Sequence, residues 1–364
     1  MKIQIAERIR PFSHLPGDSV LIPRSSIAAK IFPCLIVLYP LDRPDEKVAV
    51  KLAVTGPLKN FTIQSDLEIG EVKVWGESEG GFLRYTLSCE TFKDQICLSL
   101  EKAVGDVLEL SFAEKKHLLN AKARLTLFKK GEIPLKEYSK EGFERLSLGS
   151  SRLQNWPMVV SRMQIEEILP VFYRFAQWLP DAEDHSSNEG AWEPIHNCLK
   201  YTNEKKHEMI IPCLKQLFMG FFSGILVPRL VDEQYQGFGV WKGNIPDSFT
   251  SLSFIPDAIR LIRSLFVVES SETVNLLPHL PPEFHAGRFL NIKTEGGVIQ
   301  LEWTKKEIRR MEYKALEDHN KILVFNQKKK CRLRVAGNAE SVNFESGQKV
   351  EFKKYQQYFF DNFL

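Results

Sequence analysis

Along residues 1–130 the apolar positions recur every second residue, in short runs. Val48, Val50, Leu52 and Val54 alternate with Ala49, Lys51 and Ala53, and Leu108, Leu110 and Phe112 alternate with Glu109 and Ser111. That period belongs to strands with one buried face. Further runs around Phe32–Tyr39, Phe61–Gln64, Glu71–Trp75, Phe82–Cys89, Ile96–Leu100 and Arg124–Phe128 are rich in β-branched and aromatic residues and are broken by Gly, Pro or Asp. About eight strands at roughly 8–12-residue spacing predict an N-terminal β-sandwich. The segment Arg10–Gly17, with His14, reads as a compact surface turn beside the first strand.

Residues 131–155 read as a linker, because Gly131, Pro134, Gly142 and Gly149 and the serines between 147 and 151 argue against a long element. From residue 156 the apolar period lengthens to that of a helix. Ser161-x-x-Gln164 has the form of a capping box, and Ile165, Ile168, Leu169, Phe172, Phe175 and Leu179 follow it at helical spacing. Pro170 predicts a bend there. A second helix is predicted from Glu204 to about Leu226, with Ile210, Leu214, Leu217, Phe218, Phe221, Phe222 and Ile225 on one stripe. A third spans about Asp257 to Val267, and a shorter one lies near Trp192–Tyr201. Residues 227–252, with Pro228, Gly237, Gly239, Gly243 and Pro246, read as one long ordered loop, a length often tied to function.

The helical region is therefore drawn at 156–275 and a C-terminal β-domain at 276–364. In the latter Cys331, Leu333 and Val335 alternate with Arg332 and Arg334. Val342 with Phe344 and Val350 with Phe352 mark later strands, and the aromatic end Tyr355–Phe360 is expected to pack back on the domain. The fold class is α+β and multidomain: a sandwich at 1–130, a linker, a helical middle and a small antiparallel β-domain.

Between the helices and the last strands lies Val274–Trp303, VNLLPHLPPEFHAGRFLNIKTEGGVIQLEW. Pro278, Pro281 and Pro282 make its first half extended, and Leu276, Leu277 and Leu280 suit a loop lying across a core face. Gly296-Gly297 then marks a tight turn before Ile299, Leu301 and Trp303 alternate with Gln300 and Glu302. This order of Leu-Leu-Pro-x-Leu-Pro, Gly, strand, Gly-Gly and apolar-x-apolar-Glu-Trp resembles a junction in inverting α-L-fucosidases and related six-hairpin glycosidases. There it joins the catalytic barrel to the C-terminal β-domain. The resemblance implies an N-terminal sandwich, an (α/α)6 barrel carrying the chemistry and a C-terminal β-domain.

Two features set this chain apart from that family. Twelve helices of about 11 residues with loops of about 5 need roughly 190 residues, whereas residues 156–270 supply 115. The family's Gln-x-Asp-Gly-Asn-Phe-Gly segment, which supplies a catalytic aspartate, is replaced by Ser251-Leu252-Ser253-Phe254-Ile255-Pro256-Asp257-Ala258. Asp257 stands near the right place with the wrong neighbours.

Composition narrows the function classes. A net charge of +3 on 364 residues does not argue for nucleic acid. The longest apolar run, Leu217 to Pro228, is too short to span a bilayer, and the N-terminus lacks an apolar leader. The 6 cysteines show no C-x-x-C spacing and are scattered through apolar stretches, which suggests buried thiols in a reducing, cytoplasmic setting. No cofactor or metal motif is present: Gly237-x-Gly239 lacks the third glycine of a dinucleotide loop.

Two stretches carry candidate chemistry. The first is acidic: Asp181, Glu183, Asp184, Glu189 and Glu193, with His185, Trp192 and His196. Acids beside an aromatic are the composition of a sugar site, and a solvated acidic loop before a helix is the plainer account. Glycoside hydrolysis needs two carboxylates flanking the bond, but Glu189 and Glu193 at i,i+4 would share one helix face. The catalytic candidates are therefore Glu189 or Glu193 with Asp247 or Asp257. The second stretch, Gln234–Asn244, offers Tyr235, Trp241 and Asn244, with Trp192, to stack on and hydrogen-bond a sugar. Packing against the helices would use the same aromatics.

Three readings follow. The chain is a catalytically degenerate glycosidase-like protein acting as a carbohydrate-binding or assembly module. Alternatively it is an active glycoside hydrolase using the acids named above. The third reading is a protein-interaction module whose apolar stripe around Phe218–Phe222 docks a partner or a second copy.

Overall fold

Period-two alternation in the first third of the chain folds into two six-stranded sheets. The computed structural model describes residues 2–41, 45–90, 95–129, 142–149, 154–180, 192–221, 226–227 and 255–364. One sheet is ordered β1 (Phe12–Ser13), β6 (Lys59–Asp66), β7 (Glu71–Ser78), β8 (Gly81–Glu90), β9 (Gln95–Lys102), β12 (Arg124–Phe128). The other is ordered β11 (Lys115–Asn120), β10 (Val107–Phe112), β5 (Val48–Leu52), β4 (Leu35–Pro40), β3 (Ile27–Phe32), β2 (Ser19–Leu21). Their inner faces close a core that includes Val20, Ile36, Val50 and Leu110 from one sheet and Ile63, Val72, Leu87 and Leu98 from the other. Strand β11 escapes the alternation rule because only Leu119 of its residues is buried, as suits an edge strand.

Five helices are found among the described residues: α1 (Trp156–Arg162), α2 (Ile165–Ala176), α3 (Trp192–Asn203), α4 (His207–Phe221) and α5 (Ile255–Ser264). The capping box expected at Ser161 is not formed. A helix already begins at Trp156, where the Asn155 side chain accepts from the Met158 N–H and Pro157 occupies the first turn. Ser161 is therefore inside α1, Met163 breaks the chain in the left-handed region, and Gln164 precedes α2 without a side-chain cap. Pro170 lies within α2, and every residue from Ile168 to Ala176 is buried.

The stretch read as a linker contributes β13 (Arg145–Leu148), the edge of a seven-stranded sheet. That sheet continues β16 (Ala286–Thr294), β17 (Gly297–Thr304), β18 (Glu307–Ala315), β23 (Gln357–Asp361), β20 (Lys330–Val335), β21 (Ser341–Glu345). A four-stranded sheet of β14 (Val267–Glu269), β15 (Thr273–Leu276), β19 (His319–Phe325) and β22 (Lys349–Phe352) completes the C-terminal part, with β15 and β19 parallel. The helices and these sheets share one buried core, which Leu21, Ala28 and Leu67 of the sandwich also join. Leu276, Leu277 and Leu280 are buried in it, so the proline-rich loop does lie across a core face. The terminal aromatic strand β23 is inserted between β18 and β20.

Lys321 in β19 is only 2% exposed. Its ammonium donates to the carbonyls of Ser270 and Ser271, both at 3.0 Å, and to Glu295 at 2.8 Å, with Glu269 at 3.3 Å. Burial alone would lower its pKa, but the bonds from Glu295 and Glu269 outweigh it and raise the value. Lys321→Met is expected to cost about 1–3 kcal/mol in urea unfolding at neutral pH. The contribution is complete below about pH 10 and fades as pH rises through the folded pKa, so wild type and variant should converge in alkali.

Candidate functional site

The outward positions of the seven-stranded sheet bring together polar side chains from strands far apart in the chain. Gln300 on β17 stands opposite Glu312 on β18, Glu312 opposite Phe359 on β23, and Phe359 opposite Arg334 on β20. In the next row Val298, Lys314 and Gln357 face one another in the same way. On β16 the register shifts between Phe289 and Ile292, and Asn291 sits in that irregularity with φ 57°. Its side chain donates to the Phe143 carbonyl at 3.2 Å, which turns it toward the row.

Asn291, Val298, Gln300, Glu312, Lys314, Gln357 and Phe359, with Lys2 and Leu316, line an open groove of about 650 Å³. Its polar atoms hold one another in place. Gln300 donates to Asn291 Oδ1 at 3.3 Å, and Gln357 donates to Glu312 Oε2 at 3.2 Å. The other oxygen of Glu312 accepts the Ile3 N–H at 3.1 Å, so the N-terminal segment is tied across the sheet. Each glutamine uses one N–H in this way and keeps the remainder of its amide for solvent or ligand. Phe359 is half-buried and lines the groove, with the Arg334 guanidinium over one face of its ring, 6.0 Å from the centroid.

Beside the groove runs a row of shared carboxylates. Glu302 accepts from Arg288 at 2.9 Å and from Arg310 at 2.6 Å. Asp361 accepts from Arg332 at 2.7 Å and also from Arg334. Burial would raise the Asp361 pKa, but the two arginines prevail and hold it below the usual carboxylate range.

A second concavity, of about 100 Å³, lies where residues 5–9, β13 and α2 meet. Its charged lining is cement rather than a reaction centre. Arg174 is 6% exposed, donates through Nε to the Leu67 carbonyl at 2.9 Å and lies 4.5 Å from the Phe143 ring. Burial pushes its pKa down to about 10. Nearby, Arg145 reaches both the Glu7 carbonyl and Glu68, and Arg10 pairs with fully buried Asp66 at 2.7 Å. These contacts lash the N-terminal segment and the sandwich to α2.

Of the residues singled out from the sequence, Glu189, Asp247, Tyr235, Trp241 and Asn244 lie outside the described residues. Trp192 opens α3, and Glu193 is exposed in its first turn. Asp257 occupies the first turn of α5 and pairs with Arg260 at 2.6 Å. Both acids stand where a helix N-terminus favours negative charge, on helices that contact each other. Among the described residues no group of three or more His, Cys, Asp or Glu has the geometry to hold a metal ion. Among them, too, no helix is long and apolar enough to cross a membrane. Neither a family model nor a curated protein matches the chain.

Proposed function

We propose that this protein is a carbohydrate-binding, glycosidase-like module whose ligand site is the groove over β16, β17, β18 and β23. The observation that carries the reading is the prearranged row Asn291, Gln300, Glu312 and Gln357 beside the face of Phe359. A pyranose offers hydroxyls that both donate and accept, and an apolar C–H face. Amides fixed at strand spacing by Glu312 and by one another answer the first, and an aromatic ring answers the second. The observed order of sandwich, helices and β-domain supports the likeness to six-hairpin glycosidases. The shortness of the helical region and the missing Asp-Gly-Asn favour binding over hydrolysis. Six free cysteines, five of them buried, support a reducing compartment such as the cytoplasm.

The test is calorimetric titration against a panel of neutral and acidic oligosaccharides, with a reducing-sugar assay on the same panel. Binding heat without turnover is the expected result. Phe359→Ala should weaken that binding about tenfold, in a variant whose fold is confirmed by circular dichroism. Turnover abolished by Glu193→Gln or Asp257→Asn would establish the hydrolase reading instead. Docking through the helical stripe is the less favoured reading, because Phe218 is only 2% exposed and packs edge-on against Phe172 at 5.1 Å. Its companion Phe222 lies outside the described residues.

A further inference from the structure

We infer that the groove selects an acidic saccharide, a chain containing uronate or sulfated residues, over a neutral one. This deepens the carbohydrate reading and rests on it. The carboxylates of the face are already occupied. Glu302 is shared by Arg288 and Arg310, and Asp361 by Arg332 and Arg334. Each unit of two arginines around one carboxylate carries a net positive charge. Glu312 is taken by the Ile3 N–H and Gln357.

Inside the groove two cations, Lys2 and Lys314, both exposed on its lining, stand against one carboxylate, Glu312, whose oxygens are already engaged by neutral donors. Lys314 stands directly across from Gln357 and Val298, so its ammonium flanks the amide row. A neutral sugar offers these cations hydroxyls but no opposite charge. A carboxylate or sulfate on the ring would pair with them while its hydroxyls take Gln300 and Gln357. The two arginine units are centred on β17 and β23, two strand spacings or about 10 Å apart, so an extended acidic chain lying across the strands meets positive charge repeatedly. Single-stranded nucleic acid is the competing polyanion. It binds on platforms of several aromatic rings, whereas among the described residues the groove lining offers one ring, Phe359.

The deciding experiment is titration of the full chain with an oligouronate and with its carboxyl-reduced neutral counterpart, at low and high salt, alongside a single-stranded oligonucleotide. The oligouronate should bind roughly tenfold or more tightly than the reduced chain. Lys314→Gln, an exposed substitution whose fold is checked by circular dichroism, should cost roughly fivefold toward the oligouronate and clearly less toward the reduced chain. Raised salt should narrow the preference. Equal affinity for both saccharides would overturn the inference while leaving the carbohydrate reading intact. Heat from neither saccharide would overturn both, and tight binding of the oligonucleotide alone would assign the face to nucleic acid.

Discussion

Trp303→Ala is expected to destabilise the protein by about 3–5 kcal/mol, measured by urea unfolding of the full chain. Trp303 is 0% exposed, and its indole N–H donates to the Phe284 carbonyl at 2.9 Å. It lies at the end of an aromatic series that runs from Tyr173 of α2 through Phe289 and Phe266, with ring centroids 5.6, 5.6 and 5.4 Å apart. Alanine would leave a cavity among these rings and strand a buried carbonyl. Trp303→Phe keeps most of the volume and should cost only about 1–3 kcal/mol for the lost bond. The position also explains Gly287. A Cβ there would come within 2.4 Å of Trp303 Cζ2 and 2.6 Å of the Ser147 carbonyl oxygen. Gly287→Ala should therefore destabilise by about 1–3 kcal/mol or more through overpacking. Because phenylalanine at 303 removes part of the obstacle, Gly287→Ala with Trp303→Phe should fall short of the sum of the single effects by roughly 0.5–3 kcal/mol. Strict additivity would mean that the glycine is required for another reason.

That packing bears on the resemblance to six-hairpin glycosidases. The residues of Val274–Trp303 on which the proposed likeness rests are core residues: Leu276, Leu277, Leu280 and Trp303 are all buried. Gly296 turns the chain with φ 82° between β16 and β17. Such residues are constrained by packing whether or not a neighbouring barrel does chemistry. The proposed likeness therefore bears on architecture and leaves activity open to the assays named above.

Strands with one clean apolar face were legible, because burial imposes the period directly: Leu108 and Leu110 of β10, and Cys331 and Leu333 of β20, are buried as the alternation requires. Strand β13 was not, since Leu146 is its only buried residue and its partner β16 lies on the far side of the helical region. Helix α1 carried readable signals in Asn155 and Pro157, but Ser161 and Gln164 offered a competing start. The groove was illegible for a different reason. Gln300, Glu312, Gln357 and Phe359 each read as the polar or outward half of an ordinary strand, and only the register across β17, β18 and β23 makes them neighbours. No spacing along the chain encodes that register.

Glu144→Ala is the second large effect, expected at about 3–5 kcal/mol. Glu144 is 8% exposed and lies where the segment before β13, α2, α5 and β16 converge. One carboxylate oxygen accepts from Arg263 Nε at 3.2 Å and from the Lys293 N–H at 2.9 Å, while the other accepts the Tyr173 hydroxyl. Its backbone is clasped by Gln177, which donates to the Glu144 carbonyl at 3.1 Å and accepts its N–H at 3.0 Å. Removing the carboxylate leaves a guanidinium, a hydroxyl and a backbone N–H without their shared acceptor, which is costlier than losing any one bond. Tyr173→Phe should cost far less, and combining the two should reveal a coupling of roughly 0.5–3 kcal/mol. Burial, reinforced by the Glu144 charge, raises the Tyr173 pKa well above its usual value. The unfolded tyrosine therefore ionises first, and this part of the stability is lost as pH rises beyond about 10. In Tyr173→Phe that alkaline loss should shrink. An alkaline limb unchanged by Tyr173→Phe, together with a Glu144→Ala penalty below about 1 kcal/mol, would show that the helices are held to the C-terminal sheet by apolar packing alone.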